Sequence, residues 1–315
     1  MGAFALPSRL IAARMLTMDP LIELRKRIMH HSGSTDLATI QTAITGVKLS
    51  ICSITTEPIG HIYEPVVVLV VQGRKRTVLG ERIFDYGVGQ YLVVPIELPI
   101  ISRIASAKAD EPFLAIALTL RSTSIVSLLL DAAIPQRNPA EFSGLGVGTA
   151  SPELVDAMLR MIRLLDSPTD IPILMPGLER EILWRLLSAE HGGLVRQIGS
   201  VGGRLAQIGH ALRWLRSRYA DIIRIEDMAE QAGMSVSTFH RHFRAITAMT
   251  PIQYQKQVRL QEARMRLLAG AGDVASVGFA VGYDSPSHFS REYTRLFGFP
   301  PGRDATRLKE LPSKA

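Results

Sequence analysis

Three textures of apolar and polar positions succeed one another along the chain. After Asp19-Pro20, the residues Leu21, Leu24 and Ile28 recur at helical spacing. They predict a short amphipathic helix with proline at an early position, where its missing N–H costs nothing. Residues 38–120 change to short runs of Val, Ile, Leu and Thr, broken at Glu57-Pro58, Gln72-Gly73, Leu79-Gly80, Tyr86-Gly87 and Asp110-Glu111-Pro112. Such runs predict antiparallel strands in a sandwich or barrel. Residues 66–71 are apolar at every position, so both faces of that strand are expected to be covered, as in a closed or double-layered arrangement.

Beyond a loop expected over residues 136–150 the period becomes helical. Ser151-Pro152-Glu153 supplies an N-cap, a proline and a carboxylate for a first turn, and Leu154, Met158, Met161, Ile162 and Leu165 follow on one face. Pro172 and Pro176 interrupt, and a second helix is predicted from Leu178 to its end at His191-Gly192-Gly193. Five glycines in residues 192–203 read as a linker.

After the linker one pattern occurs twice, first in residues 225–244 and again in residues 273–295. Each copy has a short helix with a small alanine for close crossing, then a glycine (Gly233, Gly282) suited to a tight turn. A serine (Ser235, Ser285) then caps a second helix. This is helix-turn-helix architecture. Phe239 and Phe243 share one face of the first copy's second helix, as Phe289 and Tyr293 do in the second copy. Left for solvent are Ser237, Thr238, His240, Arg241 and Arg244 in one copy, and Ser287, His288, Arg291 and Arg295 in the other. A helix with one apolar face and one basic, hydrogen-bonding face fits a DNA major groove, where arginine suits guanine.

Charge agrees with this division. The chain carries 36 Lys and Arg against 29 Asp and Glu, a net +7. Residues 200–315 hold 17 basic and 10 acidic residues, so the whole excess lies there and a neutral unit is joined to a basic one. Such asymmetry points to a polyanion at one end. With 315 residues and 47% hydrophobic content there is enough apolar material for two cores, which excludes disorder as the main state. Cys52 stands alone, excluding an intrachain disulfide or a Cys-built zinc site and fitting a reducing cytoplasm. The longest apolar runs, residues 66–71 and 92–96, are far short of the ~20 residues of a membrane span. No secretion signal is evident in the first twenty residues, and Met15 and Met18 are alternative starts.

The C-terminal segment resembles the AraC/XylS family of bacterial transcription regulators. The resemblance is carried by Gly278-Phe279, Gly282-Tyr283, Ser287-His288-Phe289-Ser290-Arg291, Phe297-Gly298 and Pro300-Pro301, and by Thr250-Pro251-Ile252-Gln253-Tyr254 at the start of the joining helix, continued by Arg259 and residues 263–268. It implies base and phosphate contacts at Ser237, His240, Arg241, Ser287, His288 and Arg291. Pro286 departs from the polar residue that some members carry, and reads as geometry of the first turn. The N-terminal region is similar to the cupin-like barrel of one AraC branch, at Glu64-Pro65, residues 71–75, residues 89–94, Glu97-Leu98-Pro99 and residues 112–115. These are turns and strand edges, which identify a fold and no ligand.

The expected architecture is therefore α+β with two domains: an N-terminal cupin-like β-barrel with flanking helices, and a C-terminal all-α tandem helix-turn-helix domain. The boundaries are a helical segment (1–35), a sensor barrel (36–135), a helical connector (136–195), a linker (196–204), the DNA-binding domain (205–307) and a tail (308–315). Recognition helices are expected at residues 236–246 and 286–297, with residues 251–268 as the strut between them. Dimerisation is expected through helices at residues 152–165 and 178–189. Expected partners are double-stranded DNA, a small organic effector in the barrel, a second copy of the chain and RNA polymerase.

A few other side chains carry candidate chemistry. His61 is the lone histidine of residues 33–120, and one imidazole, even with Glu57 and Glu64 near in sequence, holds no metal unaided. Neither a metal nor a cofactor is expected. Cys52, between Ile51 and Ile54, reads as packing rather than a redox sensor. Tyr63, Tyr91 and Arg103 are candidates for a polar barrel interior. His30-His31 reads as a solvated helix end and Trp214 as core. A cupin-type enzyme is the rival class, but no metal cluster or convergent acid and base is evident; a DNA-binding protein that senses nothing is the third.

Overall fold

Asp19 caps the first helix, α1 (Pro20–Ser32): its carboxylate accepts the Leu21 N–H at 3.0 Å, and Pro20 follows in the first turn. This computed structural model describes residues 19–33, 37–132, 144–200 and 202–310. Met15 and Met18, residues 136–143 of the expected loop and residues 311–315 of the tail lie outside the described residues.

The strands are β1 (Leu37–Gln41), β2 (Val47–Cys52), β3 (Ile59–Tyr63), β4 (Val66–Gln72), β5 (Arg74–Leu79), β6 (Arg82–Gly87), β7 (Gln90–Val94), β8 (Leu98–Ser106), β9 (Phe113–Thr119) and β10 (Gly146–Thr149). They form two antiparallel sheets, one of six strands in the order β1-β2-β9-β4-β7-β10 and one of four in the order β3-β8-β5-β6. The unbroken apolar run of β4 has its reason here. Val67, Leu69 and Val71 pack against helices on one face of the large sheet, while Val68 and Val70 point into the space between the sheets.

Helix α2 (Ser122–Asp131) follows β9, and α3 (Pro152–Arg163), α4 (Ile171–Ser188) and α5 (Gly192–Ile198) follow β10. Ser151 accepts the Leu154 N–H at 3.2 Å and caps α3, as its sequence predicts. Helices α1, α3 and α4 share one apolar core with the outer face of the large sheet. Arg163 and Arg27 both hydrogen-bond Glu23, which holds its carboxyl down at about 2 and ties α1 to α3.

Four details differ from the sequence pattern. Helix α4 begins at Ile171, seven residues before the expected Leu178, because Pro172 falls in the first turn and Pro176 is accommodated inside the helix. The glycine-rich stretch is helical over Gly192–Ile198; Gly192 is there for space, since a Cβ would overlap the Leu187 carbonyl. Tyr91 belongs to the helix-facing core and Arg103 is exposed, so of the three candidates for a polar interior only Tyr63 lies there. The apolar face of α3 is spent on the core, whereas α4 leaves Ile173, Leu174 and Trp184 exposed.

The remaining helices are α6 (Arg204–Ser217), α7 (Ile225–Gln231), α8 (Val236–Thr247), α9 (Pro251–Leu268), α10 (Val274–Ala280), α11 (Pro286–Phe297) and α12 (Pro301–Glu310). A capping box sets the start of α9, with Thr250 Oγ1 accepting the Gln253 N–H at 3.2 Å and Gln253 Oε1 accepting the Thr250 N–H at 2.8 Å. Among the described residues no helix is long and apolar enough to cross a membrane.

One apolar core runs from the interior of the sandwich into the helical domain. Leu79, Tyr86, Leu98 and Ile100 join Leu212, Leu215, Phe239, Phe243, Ile246 and Tyr254 without interruption. Arg216 pairs with Glu97, and the Tyr254 hydroxyl donates to the Glu97 carbonyl at 3.2 Å. The second helix-turn-helix has a separate core of Leu260, Ala263, Leu267, Val277, Val281, Phe289, Tyr293 and Phe297. The first unit is thus packed onto the sandwich, and α9 carries the second.

Candidate nucleic-acid interface

The two helix-turn-helix units repeat each other in geometry. Gly233 (φ +63°) turns the chain between α7 and α8, and Gly282 (φ +90°) does so between α10 and α11. At Gly282 a Cβ would also overlap the Ala220 carbonyl, so both conformation and space require glycine. Asp273 caps α10 by accepting the Ser276 N–H at 2.7 Å, and Ser285 caps α11 by accepting the His288 N–H at 3.3 Å. Ser235 precedes α8 and donates instead to the Thr238 hydroxyl at 3.0 Å.

Buried rings fix each recognition helix. Phe239 and Phe243 are fully buried with ring centroids 5.2 Å apart, and Phe243 meets Tyr254 edge-on at 5.7 Å. Phe289 and Tyr293 repeat this on α11 at 5.6 Å, and Tyr293 meets Phe297 at 4.6 Å. With these faces committed inward, Ser237, His240, Arg241 and Arg244 are exposed on α8, and Ser287, His288, Arg291 and Arg295 on α11. Thr238 is half-buried and occupied by Ser235. Arg241, Arg244, Arg291 and Arg295 make no ion pair within the described residues, so their guanidiniums are available to an anion. Glu292 lies below the exposed face of α11, accepting from Lys256 at 2.7 Å and from the Tyr283 hydroxyl at 3.3 Å. The His288 ring sits 3.8 Å from the same carboxylate.

Two arginines that the charge pattern does not distinguish serve structure. Arg259 on α9 donates to the carbonyls of Tyr219, Ala220, Asp221 and Gly282 at 2.6–3.1 Å, pinning the segment before α7 to the turn of the second unit. Burial pushes its pKa down. Arg264 is 4% exposed and bonds the fully buried Asp304 at 2.8 and 3.2 Å. Asp304 also accepts from the Tyr293 hydroxyl at 2.9 Å, joining α9, α11 and α12. A basic residue on the apolar side of the α9 helical wheel is the sequence signal that marks Arg264.

The sandwich interior carries its own polar pair. Lys75, Thr77 and Leu79 alternate inward on β5 while Arg74 and Arg76 alternate outward. Lys75 Nζ donates to the Tyr63 hydroxyl at 2.8 Å and lies 6.0 Å from the centre of the Phe113 ring, with no carboxylate paired to it among the described residues. Burial opposes the ammonium, but the oxygens of Tyr63 and Tyr86 outweigh it and hold the Lys75 pKa above the ordinary lysine value. Burial pushes Tyr86 up to about 12. Cys52 is buried, its thiol donates to the Ile54 carbonyl at 3.0 Å, and burial raises its pKa, which keeps it a thiol. His61, on β3, is pushed down to about 4 by its surroundings and by the charges of Lys75 and Arg264, and is therefore neutral at pH 7. Among the described residues no three His, Cys, Asp or Glu side chains converge as for a metal. Trp214 is half-buried beneath the Arg218 guanidinium at 5.3 Å, and His31 pairs with Asp166 at 3.1 Å.

Sequence comparison accounts for both parts. Residues 43–194 match the family described as the AraC-type transcriptional regulator N-terminus, and residues 228–307 match a helix-turn-helix domain family. The chain belongs to the AraC family of transcriptional regulators. Among its AraC-family relatives is the HTH-type transcriptional activator RhaS of Escherichia fergusonii, 32% identical over 106 residues, which cover 32% of this chain and 38% of RhaS. RhaS of Klebsiella pneumoniae is 33% identical over 133 residues, 40% of this chain and 47% of that protein. The chain thus matches less than half the length of these two relatives. Among solved structures, ToxT of Vibrio cholerae, in an apo form carrying one substitution, has the same fold: TM-score 0.53 at 9% identity, covering 84% of this chain and 99% of ToxT. The fatty-acid-bound form of ToxT aligns at TM-score 0.52 and 9% identity, covering 87% of this chain and all of that one.

Proposed function

We propose that this regulator binds double-stranded DNA by sequence, with α8 and α11 each entering a major groove and α9 setting their separation. The observation that carries the reading is the repeated recognition helix. In both units a buried aromatic pair fixes one face, and the opposite face presents arginines that have no ion-pair partner among the described residues, beside serine and histidine. Arg241 and Arg291 are assigned to base edges, with Arg244 and Arg295, one turn further on, assigned to phosphates. Arg241→Ala or Arg291→Ala should lose about 1–3 kcal/mol on the specific site and less on random DNA, as read by fluorescence anisotropy. Equal loss on both would overturn the base-reading assignment.

The ligand that would control binding is assigned to the space between the sheets. What supports this is Lys75, which has no carboxylate partner among the described residues and donates to Tyr63, in an interior where Thr77 and Tyr86 are buried beside Cys52, Leu79, Ile100 and Phe113. An apolar molecule with an acidic group fits that lining, the class to which the fatty acid bound by ToxT belongs. Thermal shift of the full chain with aliphatic and aromatic carboxylates tests this. A ligand at about 100 times its Kd should add ~2.7 kcal/mol, and Lys75→Met should remove the gain. Stabilisation by divalent metal alone, abolished by His61→Ala, would contradict it.

A further inference from the structure

Strand β3 lies at an edge of the small sheet, paired with β8 on one side only, so it is held by half the ladder that an inner strand has. His61 and Tyr63 share its inward side, with ring centroids 6.3 Å apart, and Gly60 lies on the opposite side. The bond from Lys75 to the Tyr63 hydroxyl, 2.8 Å long, reaches past β8 and ties β3 to β5; Ser102 on β8 is the other neighbour of that hydroxyl. The outward side of β3 meets the second helix-turn-helix unit. A Cβ on Gly60 would stand 3.0 Å from the Gln261 amide nitrogen and 3.3 Å from the Phe297 ring, so the strand lies against the strut α9 and the last residue of α11 at once. Phe297 in turn packs on Tyr293, one of the rings that fix α11, at 4.6 Å. This contact is dry and unfastened at Gln261, which is 5% exposed and whose amide oxygen and nitrogen both lack a hydrogen-bond partner among the described residues. A buried amide without a partner opposes the packed arrangement, and a shift of β3 that lets water reach it removes that cost.

We propose that β3 carries effector occupancy to the second reading helix: an acidic group seated on Lys75 takes the place of the Tyr63 hydroxyl, and β3, released from β5, shifts against Gln261 and Phe297. This rests on the assignment of the effector to the space between the sheets. A ligand moves such an equilibrium only if it binds the two positions of β3 with different affinity, and an acidic group does so because it competes with Tyr63 for the ammonium. His61 places the strand between the two cations concerned, since it feels the charge of Lys75 inside the sandwich and of Arg264 on the strut. The first unit stands off this path. It joins the sandwich through a continuous apolar core, the Arg216–Glu97 pair and the bond from Tyr254 to the Glu97 carbonyl, none of which involves β3. The effector therefore changes where α11 stands relative to α8, while each unit keeps its own core.

A reversible lock on β3 tests this in the full chain. Gly60→Cys with Gln261→Cys brings two thiols together, because removing the Gln261 amide clears the space that the added Cβ needs. Cys52, the one native cysteine, is buried. Lys75→Met and, more gently, Tyr63→Phe break the tie to β5 without any ligand. In the reduced double-cysteine chain each should change affinity for the footprinted operator by about five-fold or more, in one shared direction, and leave unchanged the affinity for a duplex whose α11 segment is scrambled. With the disulfide closed the change should fall below about two-fold. An equal change with the lock closed would overturn the path through β3, as would no change from either variant with the lock open; both leave the effector assignment standing. Decanoate or naphthoate that stabilises the wild-type chain against heat without altering operator affinity would also overturn the path. Failure of both carboxylates to stabilise that chain would overturn the effector assignment, and the proposal with it.

Discussion

Asp304→Ala is expected to destabilise the second helix-turn-helix unit by about 3–5 kcal/mol, because it leaves the Arg264 guanidinium buried without its counter-charge. The ion pair is dry, with Arg264 4% and Asp304 0% exposed, and Nη1 of Arg264 already lacks a hydrogen-bond partner. Lost with the carboxylate are the bonds from Tyr293 at 2.9 Å and Arg307 at 3.1 Å. Phe297, 4.4 Å below the guanidinium, offers a partial substitute through its ring face. The double replacement Arg264→Met with Asp304→Leu should cost much less than the single one, since no charge remains to be desolvated. Urea denaturation with amide exchange checks both. Loss of protection in α9, α11 and α12 with the sandwich unaffected is expected; equal costs for the single and double variants would contradict the argument.

Phe243→Ala is expected to cost a similar 3–5 kcal/mol, but over a different part of the molecule. Phe243 is fully buried against Phe239 and Tyr254, in the core that continues into the sandwich through Ile96, Leu98 and Ile100. The cavity left by the ring therefore opens at the junction of the two domains. Exchange protection should fall in β5 and β8 as well as in α8, while α11 and α12 keep theirs. A sandwich whose protection is unchanged would mean that the two domains are stabilised independently.

The contrast between these variants follows from contacts that local sequence pattern reveals unevenly. The strut α9 is legible to the residue, since Thr250-Pro251-Ile252-Gln253 is a complete start signal and the glycines after Leu268 stop it. Both recognition helices are equally plain, because aromatic residues four apart leave one face for solvent. Gly192 and Pro172 mislead, since each is read as a break although here one is required by close packing and the other sits in a first turn. Lys75 lies in the basic run Arg74-Lys75-Arg76, and only the alternation of the strand tells that it faces inward. Glu97 reaches Arg216 and Tyr254 across more than a hundred residues, and no periodicity encodes such a contact. Tyr91 and Tyr63 differ in which face they occupy, which period alone cannot assign in strands apolar on both sides.

If α8 and α11 read two successive major grooves on one face of the duplex, the strut between them must match the DNA repeat. Helix α9 has 18 residues and is therefore roughly 27 Å long at 1.5 Å per residue, comparable to one DNA turn of ~34 Å. Hydroxyl-radical and methylation footprinting of the full chain on its own operator reads this arrangement out. Two protected major-groove segments per protomer should appear, centred about one helical turn apart, with the second lost in Arg291→Ala. Protection of a single major groove per protomer, unchanged by Arg291→Ala, would be incompatible with two reading helices.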